Sequence, residues 1–336
     1  MRKWIASVGL LLGSAAVLAQ SGTFTYATED GPTAACVNDG NRANGVNQRG
    51  DIVGRCANGN GPLSWVLLKG SSVASIIDFF SAPFFAQFSG SSTTRAIDSA
   101  GDIVGRWFDL AGHSHGYLLT TGGFVSIDAP QSLSNDTITD TDARGVNNAG
   151  TIIGFYNVNH NFGPPNNVIS IAHGFLLRGG TFTAIDYPNA VATLPRGIND
   201  AGDVVGVYIN ADTTQNPPTV SAHGFIYSKG MYSTVDVPAS FDIPAPTATV
   251  LSGINEQGQV AGDYTTATVT FSGITGDSLK PTSRGFLRSA DGSSFTHIDV
   301  PSALSTDCRG GINDHGNIVG MYMDSTNIEH GFETSR

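Results

Sequence analysis

Histidine and aspartate recur in this chain at a fixed offset. His115 and Asp128, His173 and Asp186, and His223 and Asp236 each frame a short turn, and Arg284 takes the His position before Asp299. A His beside a carboxylate titrates near neutrality, so such pairs could act in acid–base chemistry or supply metal ligands. Their symmetry points elsewhere. The pairs are centred on Thr121-Gly122, Gly179-Gly180, Lys229-Gly230 and Asp291-Gly292. Each is therefore predicted to face across a tight hairpin as a structural lock. His330 has no Asp after it, and Asp30 near the N-terminus is its expected partner.

Four other groups could do chemistry. Ser114, in Gly112-His-Ser-His-Gly116, matches the G-x-S-x-G of serine hydrolases, although no helix is expected to follow it. Asp136, Asp140 and Asp142 lie close enough in sequence to be candidate Ca²⁺ ligands, at a spacing unlike an EF-hand; no other cofactor is implied. Trp107, Tyr156, Tyr208, Tyr264 and Tyr322 recur at one position, with Cys56 in the first copy; they either pack between repeats or form a platform for sugar rings. Arg95, Arg144 and Arg196, with Arg309 displaced by one, either pair with a neighbouring Asp or form a cationic patch suited to a uronate or other carboxylate.

These groups are positioned by one phrase written six times. Gly197-Ile-Asn-Asp-Ala-Gly-Asp-Val-Val-Gly-Val-Tyr208 has counterparts beginning at Gly45, Ala96, Gly145, Gly253 and Gly311. Their pivots are Asn47, Asp98, Asn147, Asn199, Asn255 and Asn313, about every 50 residues, and a fixed period of that length signals a repeat architecture. Within the fourth copy the Gly-Ile-Asn segment ends a strand A, and Asn199–Gly202 is a turn. Asp203–Tyr208 is strand B, Ala222–Tyr227 strand C and Tyr232–Val237 strand D, stopped by Pro238. Four antiparallel strands per unit predict an all-β, six-bladed β-propeller. The repeats are 33–83, 84–130, 131–188, 189–238, 239–301 and 302–336. The first is degenerate, with Ser64-Trp65 read in place of His-Gly.

The last repeat stops before a strand D, while Tyr26–Asp30-Gly-Pro32 carries the aromatic, Asp and Pro of one. Residues Thr23–Asp30 are therefore predicted to supply the outer strand of the sixth blade and close the ring. Arg2 and Lys3 precede an apolar run from Trp4 to Leu18, which reads as a signal peptide, residues 1–19, cut after Ala19. The run is short for a spanning helix, so a secreted or periplasmic single domain over 20–336 is expected, monomeric and with no membrane span. Of the three cysteines, Cys36 and Cys56 flank the first hairpin and are the preferred disulfide; Cys36–Cys308 is the alternative. A formal charge of −11 leaves no basic stripe for nucleic acid.

The Gly-Ile-Asn-x-x-Gly-x-Val-Val-Gly hairpin followed by His-Gly-Phe resembles the extracellular HAF-repeat family, named for a His-Ala-Phe tripeptide. The likeness covers nearly the whole mature chain and implies the fold, with no activity attached. Long B–C loops (Asn157–Ile171, Ile209–Ser221, Thr265–Ser283) and D–A loops (Gln131–Asp142, Ala239–Val250) fall on one face, the expected functional one. The sequence thus points to a binding or scaffold module for an extracellular glycan, small molecule or protein. The rival is a secreted hydrolase or lyase acting through Ser114.

Overall fold

A computed structural model describes residues 17–21, 24–32, 36, 40–57, 61–72, 74–79, 81–161, 168–212, 219–267 and 283–335. The body of the predicted signal peptide, Thr23 and the tips of the three B–C loops lie outside the described residues.

The chain opens with β1 (Val17–Ser21) and β2 (Phe24–Thr28), which belong to the last blade. Blade 1 comprises β3 (Arg42–Val46), β4 (Ile52–Ala57), β5 (Pro62–Leu67) and β6 (Ser75–Ile76). Blade 2 is β7 (Phe88–Ile97), β8 (Ile103–Asp109), β9 (Ser114–Thr120) and β10 (Gly123–Ile127). Blade 3 is β11 (Ile138–Val146), β12 (Ile152–Asn161), β13 (Val168–Arg178) and β14 (Thr181–Ala184). Blade 4 is β15 (Ala192–Ile198), β16 (Val204–Asp212), β17 (Thr219–Ser228) and β18 (Met231–Val235). Blade 5 is β19 (Ala248–Ile254), β20 (Val260–Thr265), β21 (Ser283–Arg288) and β22 (Phe295–Ile298). Blade 6 runs outward from β23 (Ser305–Asp307) through β24 (Val319–Met323) and β25 (Glu329–Ser335) to β2 and β1. Every neighbouring pair is antiparallel, and the protein is a six-bladed β-propeller.

The closure is the one predicted. β2 pairs with β25, Thr28 opposite Phe332 and Tyr26 opposite Thr334. Its place differs slightly, because β1 pairs outside β2 and makes this sheet five strands wide. β1 also straddles the expected cleavage point after Ala19.

A glycine and an aromatic ring set the thickness of each blade. In strand B, Gly54, Gly105, Gly154, Gly206, Gly262 and Gly320 lie opposite Trp65, Tyr117, Phe175, Phe225, Phe286 and Phe332 of strand C. All six rings are fully buried. A Cβ on Gly206 would stand 2.3 Å from the Leu194 carbonyl oxygen and 2.8 Å from the Phe225 ring. Only glycine lets the ring lie flat on the neighbouring backbone. This register corrects the reading of blade 1. Trp65 occupies the Phe position, so Leu63-Ser64-Trp65 stands for His-Gly-Phe, with Leu63 opposite Cys56.

Cys36 and Cys56 form the disulfide, with Cα atoms 5.6 Å apart, and Cys308 is free and buried. The Cys36–Cys308 alternative is thereby excluded. In blades 3 and 4 the expected B–C loops are largely ladder: β12 and β13 stay paired out to Asn161 and Val168, β16 and β17 out to Asp212 and Thr219. β-Branched residues such as Val158, Ile169 and Val220 continue the strand pattern there, so the pairing runs on. Among the described residues no helix is long and apolar enough to cross a membrane.

Candidate functional site

The innermost strand of blades 1 to 5 carries a β-bulge at one shared position. Pairing skips a residue between Ala43 and Gly45, Thr94 and Ala96, Ala143 and Gly145, Pro195 and Gly197, and Leu251 and Gly253. The skipped residues are Asn44, Arg95, Arg144, Arg196 and Ser252, each three places before its pivot. A bulged residue leaves the ladder and its side chain is re-aimed, here toward the propeller axis. Blade 6 has Gly310 at this position, and Arg309 fills the place from one residue earlier.

These side chains wall two neighbouring cavities, one of ≈80 Å³ and one of ≈20 Å³ bounded by Asn44, Arg95, Arg144, Arg196 and Arg309. Every lining residue falls within the last few positions of strand A before the A–B turn. The cavity therefore sits at the short-turn end of the channel, opposite the loop-bearing face expected to hold the site. The glycines of the repeated phrase allow this narrow centre: a Cβ on Gly253 would stand 2.4 Å from the Gly311 Cα. A collar of Val46, Ile97, Val146, Ile198, Ile254 and Ile312 lies between the arginines and the turns.

Buried carboxylates hold the guanidiniums in place. Asp142 receives Arg95 at 2.9 Å, Arg144 at 3.1 Å and Arg106 at 3.3 Å. Burial opposes its ionisation, but Arg144, Arg95 and Arg106 together outweigh that and keep its carboxyl below the ordinary range. Arg309 Nε donates to Asp307 at 3.0 Å; against the same burial cost, that guanidinium holds Asp307 low. Asp263 is the exception. Burial first, and the charge of Asp307 second, push it well above the usual carboxylate range. It accepts bonds from the Ser252 hydroxyl and the Cys308 amide. Five guanidiniums, of Arg95, Arg106, Arg144, Arg196 and Arg309, thus gather near Asp142, Asp307 and Asp263. Arg95, Arg144 and Arg309 pair with Asp, and together with Arg196 they line the cavity. Asn44, Ser252, Asp263 and Asp307 do not stand out by residue type in the sequence; the common offset from the pivots marks the first two.

Two rings of hydrogen bonds encircle the channel at the A–B turns. Asn47 Nδ2 donates to the Asp98 carbonyl at 2.9 Å, Asn147 to Asn199 at 3.0 Å, Asn199 to Asn255 at 3.3 Å, Asn255 to Asn313 at 3.2 Å, and Asn313 back to Asn47 at 3.1 Å. Asp98 has no N–H in its carboxylate, so its link to Asn147 is missing. One residue on, amides donate to the next blade's side chain: Ser99 to Asn148 (2.8 Å), Asn148 to Asp200 (2.7 Å), Asp200 to Glu256, Glu256 to Asp314 (2.8 Å) and Asp314 to Gln48 (2.7 Å). These five links make an acidic rim.

The His–Asp pairs are hairpin locks. Nδ1 of His115, His173, His223 and His330 lies 2.6, 3.1, 2.8 and 2.8 Å from Asp128, Asp186, Asp236 and Asp30. In three of them the carboxylate also accepts the next glycine amide, Gly174, Gly224 or Gly331. Asp128 foremost raises the pKa of His115. Arg284 departs from the pattern, being ion-paired at 3.6 Å to both Asp299 and Asp242, and its hairpin turns through a longer loop, Ser289–Ser294.

The strand-B aromatics do not form a platform. Trp107, Tyr156, Tyr208, Tyr264 and Tyr322 are all buried. Trp107, Tyr156, Tyr208 and Tyr322 stack on His115, His173, His223 and His330 at 4.4–5.6 Å between centroids. Facing residues on adjacent strands pack ring on ring, which leaves no face for a sugar.

Ser114 begins β9, buried, with its hydroxyl donating to Asp140 Oδ1 at 3.1 Å and its amide to the same oxygen at 2.8 Å. No nucleophile elbow exists there, because a strand follows, and its hydroxyl partner is a carboxylate rather than an imidazole. Asp136, Asp140 and Asp142 have separate partners: Asp136 bonds His160 at 2.7 Å, Asp140 holds Ser114, and Asp142 faces the channel arginines. Among the described residues no group of three or more His, Cys, Asp or Glu is placed to hold a metal ion.

No protein-family model and no curated protein matches the sequence. Among solved structures, the chain is similar to the β-propeller domain of the trilobed protease from Pyrococcus furiosus, at 9% identity over 95% of each chain with a TM-score of 0.47. It is also similar to the Aleuria aurantia lectin in complex with Fucα1-6GlcNAc, at 11% identity over 89% of this chain and 93% of that chain, TM-score 0.49. A further structure of that fungal lectin, described as a six-bladed β-propeller, aligns at 12% identity over 84% and 86%, TM-score 0.46.

Proposed function

We propose that this propeller is an exported binding module of the HAF-repeat kind, and that its central channel takes an anionic, carboxylate-bearing ligand. The observation that carries the reading is the convergence of Arg95, Arg144, Arg196 and Arg309, with Asn44, on one cavity. Buried cations oriented by fixed carboxylates favour an incoming oxyanion, because guanidinium geometry suits paired hydrogen bonds and the local dielectric is low. The disulfide fits an oxidising compartment, in line with export. The cavity lining supplies guanidiniums, glycines and apolar side chains, with the Ser252 hydroxyl donated to Asp263, and the reading is binding rather than hydrolysis.

Calorimetric titration with acetate and longer monocarboxylates, at constant ionic strength, tests it. Arg196→Gln and Arg309→Gln should each weaken binding at least tenfold, about 1.4 kcal/mol, with the fold retained by circular dichroism. Monocarboxylate affinity unchanged in both variants would defeat the proposal.

A further inference from the structure

The channel is layered in charge along its axis, and the layering narrows the class of ligand. This inference rests on the anion-binding reading above. Deepest is the arginine ring, then the apolar collar, then the rim. The rim carries the carboxylates of Asp200, Glu256 and Asp314, while Arg49 at the same turns is ion-paired to Asp51 at 2.7 Å. Asp200 and Glu256 follow the bulge positions Arg196 and Ser252 by four residues, past the ends of β15 and β19 in the A–B turns.

A ligand entering here meets negative charge first and positive charge last. A polyanion would place its trailing charges against the rim carboxylates, where like-charge juxtaposition disfavours it. A simple monoanion gains from the arginines and pays a smaller repulsion on entry. A zwitterion gains at both levels, its carboxylate among the guanidiniums and its ammonium among the rim carboxylates. We infer that the channel selects a slender zwitterion, an amine and a carboxylate several bonds apart, and rejects dianions and acidic polymers. The ≈80 Å³ cavity suits such a narrow body.

The test compares three probes of similar length on the intact protein: 6-aminohexanoate, hexanoate and adipate, titrated at one ionic strength. The expected order is 6-aminohexanoate tightest, by at least fivefold over hexanoate, with adipate weakest. In the combined variant Asp200→Asn, Glu256→Gln, Asp314→Asn, whose carboxamides keep an oxygen for the inter-blade amides, the advantage of 6-aminohexanoate should vanish and hexanoate should gain. Hexanoate or adipate binding the native protein as tightly as 6-aminohexanoate would overturn this inference while leaving the anion site standing. If none of the three binds, the anion site falls as well. A preference for 6-aminohexanoate undiminished in the rim variant would also overturn it.

Discussion

His330 Nδ1 lies 2.8 Å from Asp30 Oδ2, joining residues 300 positions apart in the chain. The same carboxylate accepts the Gly331 amide at 3.0 Å, and the Glu29 amide donates to the Gly331 carbonyl at 2.9 Å. This contact has the geometry of His173–Asp186 and His223–Asp236, but there it locks two neighbouring strands, whereas here it shuts the ring. Arg42 and Glu329 add a buried ion pair at 2.8 Å across the same seam.

His330→Ala is therefore expected to cost about 1 kcal/mol, the net worth of a partly buried hydrogen bond, in a urea titration. Deleting the chain through Asp30 removes β2 altogether and exposes the edge of β25. That form should aggregate at concentrations where the full chain stays monodisperse by light scattering.

The inter-blade asparagine ring can be completed. Asp98→Asn would supply the missing donor to the Asn147 carbonyl. The variant should be more stable than the native chain by about 0.5–1.5 kcal/mol, read as a raised urea midpoint at unchanged slope. A lowered midpoint would show that the Asp98 carboxylate has a role the ring does not describe.

Strand-B glycines should tolerate no side chain. A Cβ on Gly262 would lie 2.2 Å from the Val250 carbonyl oxygen, and the fully buried Phe286 ring blocks relief on the other side. Gly262→Ala is expected to lose more than about 3 kcal/mol, whereas Gly202→Ala, at a turn with open space, should lose less and only through its positive φ.

The seam should also respond to pH. Burial, then the carboxylates of Glu333 and Asp30, raise Glu29 from 4.5 to about 7. A carboxyl raised in the folded state favours folding in its protonated form. Its contribution is complete below pH 4.5 and is lost as the pH climbs to about 7. Relative to the native chain, Glu29→Gln should therefore gain stability across that window and level off above it. An unchanging difference in urea midpoint from pH 4 to 8 would contradict the assignment.

Much of this was legible because repetition multiplies weak signals. Asn47 and its five counterparts, the His–Asp offsets and the stray Asp30 placed every blade, the hairpin registers and the closure. What escaped depends on geometry that spacing does not carry. Leu63 conceals the first blade's register, because the conserved feature there is a ring lying on Gly54, and Trp65 serves as well as Phe. The arginines stood out in sequence, but the bulges that turn them inward appear only once the pairing of strands A and B is known. Spacing alone left the strand-B aromatics between packing and a ligand platform, because their burial depends on what lies opposite them. The B–C connections of blades 3 and 4 looked like loops because polar residues such as Asn157, Asn159 and Asn210 interrupt an apolar pattern that the ladder simply continues through.

The central claim concerns the channel, and anomalous diffraction from crystals soaked in bromoacetate tests it most directly. The account predicts a bromine peak on the propeller axis, within reach of Arg95, Arg144, Arg196 and Arg309. Bromine found only on the loop-bearing face, or nowhere in an accessible channel, would contradict it.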